Sequence, residues 1–254
     1  MTQLASHTCL ITGAAKRIGR SLALGLAKQG WNIAIHYSQS KADAESLCKE
    51  IETHGQKALL LQADLANSDA TAGLIAKTRA ALGPVNLLIN NASLFERDTI
   101  DNLDLASWDA HLNTNLRAPA LLMRDFAAQA AAGDSIINII DQRVWRLTPD
   151  FISYTVSKSG LWTLTQTFAQ ALAPRGIRVN AIGPGPTLPN PRQDQVEFEK
   201  QTKLVPLGVG AAPEDIFNAV QYLLTAQAVT GQMVAVDGGQ HLAWQTPDVT
   251  QVKE

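Results

Sequence analysis

Thr8-Cys9-Leu10-Ile11-Thr12-Gly13-Ala14-Ala15-Lys16-Arg17-Ile18-Gly19 reads as a short apolar strand that passes through a glycine turn and opens a helix. Backbone N–H groups at a helix start, approached through glycines, form a site for a pyrophosphate. The usual middle glycine is replaced by Arg17, so taken alone the segment also reads as an ordinary strand-to-helix turn. The chain beyond it repeats the pattern. Strand candidates at 8–12, 31–36, 57–62, 85–90, 135–140, 177–182 and 232–236 alternate with helix candidates at about 17–29, 41–54, 68–82, 104–131, 151–173 and 213–226. The strands are apolar on both faces, as in a parallel sheet covered by helices on each side. Seven strands with helical crossovers predict an α/β fold, a doubly wound parallel sheet in a single domain over residues 1–254. Its ligand crevice is expected beyond the carboxyl ends of the strands. The irregular segment 183–207, with Pro184, Pro186, Pro189, Pro191 and Pro206, is expected to be a substrate lid at that crevice.

The chain has 254 residues, 46% hydrophobic and 17% charged, enough to bury a large core. Its formal net charge of −2 gives no support for nucleic acid or an anionic membrane as the main partner. Two cysteines, Cys9 and Cys48, cannot make a disulfide framework and lack metal-ligand spacing, so both are expected to be packed thiols. Residues 1–7 lack a basic stretch followed by an apolar core, and no apolar run approaches a membrane span of roughly 20 residues. A cytoplasmic enzyme is the expectation.

The chemistry concentrates at Tyr154-Thr155-Val156-Ser157-Lys158, with Asp141 thirteen residues before the tyrosine. A tyrosine and a lysine four apart on a helix share one face. The ammonium is expected to lower the phenol pKa from about 10, making Tyr154 a general acid for a reduction. A ketone reductase would carry a neutral donor where Asp141 stands, because a carboxylate repels the carbonyl oxygen. Asp141 therefore points to a substrate with N–H groups or a cation.

Other motifs fall after strands, in a fixed order: Gly13 to Gly19, Asn90-Asn91-Ala92, Asn115, Tyr154 and Lys158, Pro184-Gly185, and Val236-Asp237-Gly238-Gly239. This set resembles the short-chain dehydrogenase/reductase family over nearly the whole chain. The resemblance implies a Rossmann-type subunit, a nicotinamide cofactor and an Asn115–Tyr154–Lys158 proton relay. It further implies that Lys158 holds the nicotinamide ribose, that Asn91 and Ala92 support the cofactor, and that Asp64, beside Leu65, contacts the adenine. An acid at the end of the second strand would select NAD(H). The strand ends His36-Tyr37-Ser38-Gln39-Ser40 instead. These groups, with Lys16 or Arg17, suit a 2′-phosphate, so NADPH is expected. Thr187 is placed to meet the nicotinamide amide or a phosphate. Related enzymes are usually homotetramers, so the 240–254 tail, with His241 and Trp244, is expected near a neighbouring subunit's site.

A finer resemblance is to pteridine reductases and the related dihydromonapterin or alternative dihydrofolate reductases. It is carried by the arginine-bearing loop Thr12–Arg20, by His36-Tyr37, by Asn90-Asn91-Ala92-Ser93-Leu94-Phe95, and by Asp141 in place of the general family's serine. In this reading Phe95 stacks on a pterin, Arg17 holds its electronegative edge or the cofactor phosphates, and Ser93 and Leu188 contact the ring. Tyr154 protonates the nitrogen left by hydride transfer, assisted by Asp141. Trp145 is read as core or lid, and Trp162 and Phe168 as packing or subunit contact. Three functions stand: NADPH-dependent reduction of a dihydropteridine (dihydrobiopterin, dihydromonapterin or dihydrofolate), reduction of a ketone or 3-oxoacyl thioester, and nucleotide sensing without turnover.

Overall fold

The computed structural model describes residues 7–190 and 192–243. Its strands are β1 Thr8–Ile11, β2 Asn32–Tyr37, β3 Ala58–Gln62, β4 Val85–Asn90, β5 Ser135–Ile139, β6 Arg178–Pro184 and β7 Met233–Val236. All pair in parallel, in the order β3-β2-β1-β4-β5-β6-β7. The helices are α1 Arg17–Lys28, α2 Lys41–Thr53, α3 Ser68–Thr71, α4 Leu74–Leu82, α5 Leu105–Leu112, α6 Ala118–Gln129, α7 Ile152–Leu172, α8 Gln195–Lys203 and α9 Pro213–Thr225.

Because side chains alternate across a strand, each apolar run serves two cores. Cys9 and Ile11 of β1 join Leu22 and Leu26 of α1, Leu47 of α2 and Ile216 and Val220 of α9 on one face. Leu10 faces the other way, into a cluster with Leu74 of α4, Leu122 and Phe126 of α6 and Leu161 of α7. This burial on both faces is the doubly wound sheet expected from the sequence. The strand order reverses between β1 and β4, so the crevice opens above their carboxyl ends, at Gly13 and Asn91. Among the described residues no helix is long and apolar enough to cross a membrane.

Three segments differ from the sequence reading. The helix expected over 68–82 is broken at Gly73, whose φ of +83° leaves the helical region, giving α3 and α4. The single helix expected over 104–131 is interrupted by a π turn at Asn113–Arg117 between α5 and α6. Pro119 has no N–H, so the Asn115 carbonyl lacks its normal donor four residues on and the ladder shifts there. Within 183–207, expected to be irregular, residues Gln195–Lys203 form α8. A reciprocal cap starts it: the Asp194 carboxylate accepts from the Glu197 N–H at 2.8 Å, and the Glu197 carboxylate from the Asp194 N–H at 3.3 Å. Pro191 and the tail from 244, including Trp244, lie outside the described residues.

Candidate active site

The turn after β1 is held by the end of β4. Thr12 Oγ1 accepts the N–H groups of Asn91 and Ala92, at 2.9 and 3.0 Å. The Asn91 side-chain amide donates back to the carbonyls of Thr12 and Gly13, at 2.9 and 3.1 Å. Gly13 has a φ of +62°, and a Cβ there would lie 3.0 Å from Ala92 Cα. At Gly19 a Cβ would strike the Gly13 carbonyl oxygen and lie 2.7 Å from Asn91 Nδ2, so the helix start can approach this closely only as glycine. Arg17, at the family's middle-glycine position, keeps the left-handed backbone with a φ of +54°, at a cost of about 1 kcal/mol. Its guanidinium donates to the Pro189 carbonyl at 2.6 Å and the Leu188 carbonyl at 3.2 Å. Arg17 thus ties the helix start to the segment after β6, an anchoring role in addition to those expected from the sequence.

Beside this turn lies a concavity of about 280 Å³ lined by Gly13, Ala15, Lys16, Tyr37, Ser38, Gln39 and Ser40. No carboxylate lines it, and a glycine-walled hollow with two serine hydroxyls and an ammonium fits a phosphate-bearing cofactor. Lys16 also pairs with Asp43 at 3.0 Å, an exposed contact that holds the lysine weakly. Ile18 packs partly against the α1 side of the core. Asp64 is exposed at the end of the turn after β3, where its carboxylate accepts from the Ala66 N–H at 2.9 Å, and Leu65 beside it is buried.

His36 corrects the sequence reading. Its ring is buried, Nδ1 accepts from the Gly13 N–H at 3.1 Å, and Nε2 lies 3.2 Å from the Ala63 carbonyl. Nδ1 as acceptor makes Nε2 the protonated donor to Ala63. Burial lowers its pKa to about 4, against smaller upward pulls from Ala63 and Asp64. The imidazole is therefore neutral and braces the glycine turn instead of meeting a phosphate dianion. His36→Ala should orphan the Gly13 N–H and the Ala63 carbonyl, on the order of 1–3 kcal/mol each, seen as a lower Tm. The ratio of kcat/KM for NADPH over NADH should stay above one and nearly unchanged. A collapse of that ratio in the variant would contradict this assignment, and equal use of both cofactors by the wild type would contradict the choice of NADPH.

At the reactive end, β5 stops at Ile139 and delivers Asp141 to the crevice, while the first turns of α7 carry Tyr154. The Tyr154 hydroxyl donates to Asp141 Oδ2 at 2.9 Å, and the Arg143 N–H donates to Asp141 Oδ1 at 2.8 Å. Burial raises the Asp141 pKa, opposed by Arg143, Tyr154 and Lys158. The phenol moves opposite to the sequence expectation. Burial, then the Asp141 charge and hydrogen bond, push Tyr154 well above its usual value, against weaker downward pulls from Arg143 and Ser93. The reason is geometric: the hydroxyl faces a carboxylate, while Lys158 Nζ lies 5.8 Å from the ring centroid and donates to the Ile139 carbonyl at 2.9 Å. Lys158 is buried and lowered by desolvation to about 8, with Asp141 raising it slightly.

Asn115, at the π turn, closes a reciprocal pair with Leu94, accepting its N–H at 2.8 Å and donating to its carbonyl at 2.9 Å. Its amide also donates to Ser157 Oγ at 3.1 Å, and Ser157 donates to the Tyr154 carbonyl at 2.6 Å. Its side chain thus reaches α7 beside Tyr154 and Lys158 without a side-chain hydrogen bond to either, among the described residues. Ser93 is exposed and donates to the Leu94 carbonyl at 3.2 Å. Thr187 is buried and donates to the Gly185 carbonyl at 3.0 Å. At Gly185 a Cβ would lie 2.7 Å from Asp237 Cα, so the ends of β6 and β7 meet through glycine. His241 is bound to Asp237 at 2.7 Å, and its ring meets Trp145 edge-on at 5.4 Å.

Phe95 lies 4.6 Å edge-on from Tyr154, with one face stacked on Phe151 at 4.5 Å. Phe151 therefore occupies one of the two faces that a ligand could stack on. Phe151 has a φ of +60°. It is held there by a buried cluster that the sequence reading missed. Asp98 accepts through its carbonyl from the Phe151 N–H at 2.8 Å, and through its carboxylate from the Ser153 N–H at 3.1 Å and the Ser153 hydroxyl. His111 Nδ1 meets Ser153 Oγ at 2.9 Å, and Nε2 accepts from the Glu96 N–H at 3.1 Å. Arg143 and Arg192, also missed, lie 4.8 and 5.9 Å from the Phe151 ring centroid. No residue spacing announces the Glu96–His111–Ser153–Asp98 contacts, because they join segments about 15 to 55 residues apart.

The family model for enoyl-(acyl carrier protein) reductase matches residues 13–241. The chain belongs to the short-chain dehydrogenase/reductase family of oxidoreductases. It is 44% identical to the solved FolM alternative dihydrofolate reductase 1 of Brucella canis complexed with NADP, with a TM-score of 0.92 over 97% of this chain and 98% of that one. The Brucella suis FolM in complex with NADP is 45% identical, with a TM-score of 0.92 over 97% and 99%. Identity to the 3-oxoacyl-[acyl-carrier-protein] reductase FabG of Staphylococcus epidermidis is lower, at 32% over 93% of this chain and all of that protein.

Proposed function

We propose that this chain is an NADPH-dependent reductase of dihydropteridines, converting dihydrobiopterin, dihydromonapterin or dihydrofolate to the tetrahydro form. The observation that carries the reading is the Asp141 carboxylate hydrogen-bonded to the Tyr154 hydroxyl. A carboxylate there repels a ketone oxygen but accepts N–H groups and stabilises positive charge on a nitrogen heterocycle. The higher identity to the two FolM structures supports the same substrate class. The Staphylococcus relative favours a 3-oxoacyl thioester or ketone instead, and Asp141 argues against that alternative. A nucleotide sensor would not require the Tyr154–Asp141 proton pair.

The cofactor would be held by the glycine turn, Asn91 and Ala92 beneath it, the Lys16–Ser38–Ser40 hollow around its 2′-phosphate, and Lys158 at its ribose. When bound it supplies a hydride to a C=N carbon. Tyr154, kept protonated by burial and Asp141, delivers the proton to the adjacent nitrogen. Loss of that proton would leave a phenolate facing a carboxylate. A proton taken up from solvent through Asp141, the phenol's hydrogen-bond partner at 2.9 Å, then restores Tyr154 and relieves the repulsion. Lys158 binds as an ammonium, donating to the Ile139 carbonyl and retaining further donors for hydroxyl groups.

A pH dependence follows. Lys158, lowered by its burial, loses its charge as pH rises through about 8. The kcat/KM profile of the free enzyme should therefore fall on the alkaline side, with an apparent pKa near 8. A profile flat up to about pH 10, near the ordinary lysine pKa, would contradict this. Substrate choice is tested by NADPH oxidation with dihydropterins and with a 3-oxoacyl thioester in parallel, dihydropterin turnover being the expected result.

A further inference from the structure

A column of aromatic rings beside Tyr154 ends at a cation that makes no salt bridge among the described residues. From the phenol it runs to Phe95 at 4.6 Å, then to Phe151 stacked at 4.5 Å, then to the Arg143 guanidinium 4.8 Å from the Phe151 centroid. Among the described residues Arg143 forms no ion pair, and its side chain makes one hydrogen bond, to Thr148 Oγ1 at 2.9 Å. The neighbouring arginines Arg192 and Arg97 are matched. Arg192, 5.2 Å from the Phe95 centroid, pairs with Glu96 at 2.8 Å, and Arg97 pairs with Asp150 at 2.8 Å. Asp141 takes the Tyr154 hydroxyl and the Arg143 backbone N–H, so the Arg143 side chain acts on the pair through its charge alone and keeps its free N–H donors.

A half-buried guanidinium with several unused N–H donors is a receptor for a carboxylate, which it can grip in bidentate fashion. Its stacking on Phe151 fixes the plane of that fork. A ring held for protonation by Tyr154 would have this column beside it, and a side chain running along the edges of the stacked rings would reach the guanidinium. We infer that Arg143 is an anion subsite for the substrate's side chain, selecting dihydropteridines whose tail is aromatic and ends in a carboxylate, as in a folate, over those with a short neutral chain. This rests on the dihydropteridine reading above.

The test compares kcat/KM for dihydrofolate and dihydrobiopterin in the wild type, Arg143→Gln and Arg143→Lys, at low and high salt. The ratio cancels any general effect of Arg143 on Asp141 or Tyr154. Arg143→Gln should lower the dihydrofolate-to-dihydrobiopterin ratio by about 10-fold, as expected for one charged hydrogen-bonded contact. Arg143→Lys, which keeps the charge and loses the fork, should fall between. In the wild type, added salt should raise KM for dihydrofolate and leave that for dihydrobiopterin flat. An unchanged ratio in Arg143→Gln, with both substrates turned over, overturns the subsite and leaves the dihydropteridine reading standing. A wild type that turns over neither substrate overturns the subsite, and the dihydropteridine reading falls with it if dihydromonapterin is not reduced either.

Discussion

Tyr154→Phe should lower kcat for dihydropterin reduction by about 100-fold or more, while NADPH affinity stays nearly intact. The variant keeps the ring, and with it the edge contact to Phe95 and the position of α7. It removes one oxygen, the group placed to carry a proton from Asp141 to the substrate. The cofactor-facing parts are separate from that oxygen: the glycine turn is tied to Asn91, and Lys158 to Ile139. Loss of the hydroxyl also leaves Asp141 Oδ2 without its donor, costing on the order of 1–3 kcal/mol of stability. Tm should therefore be measured with kcat, so that unfolding is not mistaken for lost chemistry. Near-normal turnover in a folded Tyr154→Phe enzyme would refute proton delivery by this residue.

Asp141→Ser should separate the two substrate readings most sharply. If Asp141 relays the proton and holds the N–H groups of a heterocycle, kcat/KM for a dihydropterin falls by about 100-fold or more. If the natural substrate is a carbonyl compound, the serine is the better residue and ketone or 3-oxoacyl thioester reduction is retained or improved. Serine can still accept the Arg143 backbone N–H, so the turn after β5 loses little support. Asp141→Asn is the companion variant: it keeps size and hydrogen bonding but cannot hold the transferable proton, and it should lose dihydropterin turnover as well. Retention of dihydropterin activity in Asp141→Ser would contradict the account of this residue.

Both predictions start from a relation visible in the chain, Asp141 thirteen residues before Tyr154. That spacing spans the exit from β5 and the first turns of α7, so the two side chains meet in the crevice. The sheet was legible for a similar reason. Burial on both faces leaves runs such as Val85–Asn90 and Arg178–Pro184 little freedom to be anything but central strands. Signs of electrostatic effects were not legible. Tyr154 and Lys158 share a helix face as expected, yet burial and Asp141 govern the phenol. His36 stands at the strand end where a phosphate reader belongs, but burial makes it neutral and ties both nitrogens to backbone. Backbone shape was hidden too. Arg17 and Phe151 adopt positive φ without glycine, and only tertiary contacts such as Asp98 to Phe151 account for the latter.

The central claim is that Asp141 and Tyr154 form a proton-delivering pair for a dihydropteridine. The most direct measurement is steady-state NADPH oxidation by the purified enzyme with dihydrobiopterin, dihydromonapterin and dihydrofolate, beside a ketone and a 3-oxoacyl thioester. The account predicts turnover of at least one dihydropterin at a kcat/KM well above that of either carbonyl compound. No turnover of any dihydropterin, alongside efficient reduction of the ketone or the thioester, would contradict it.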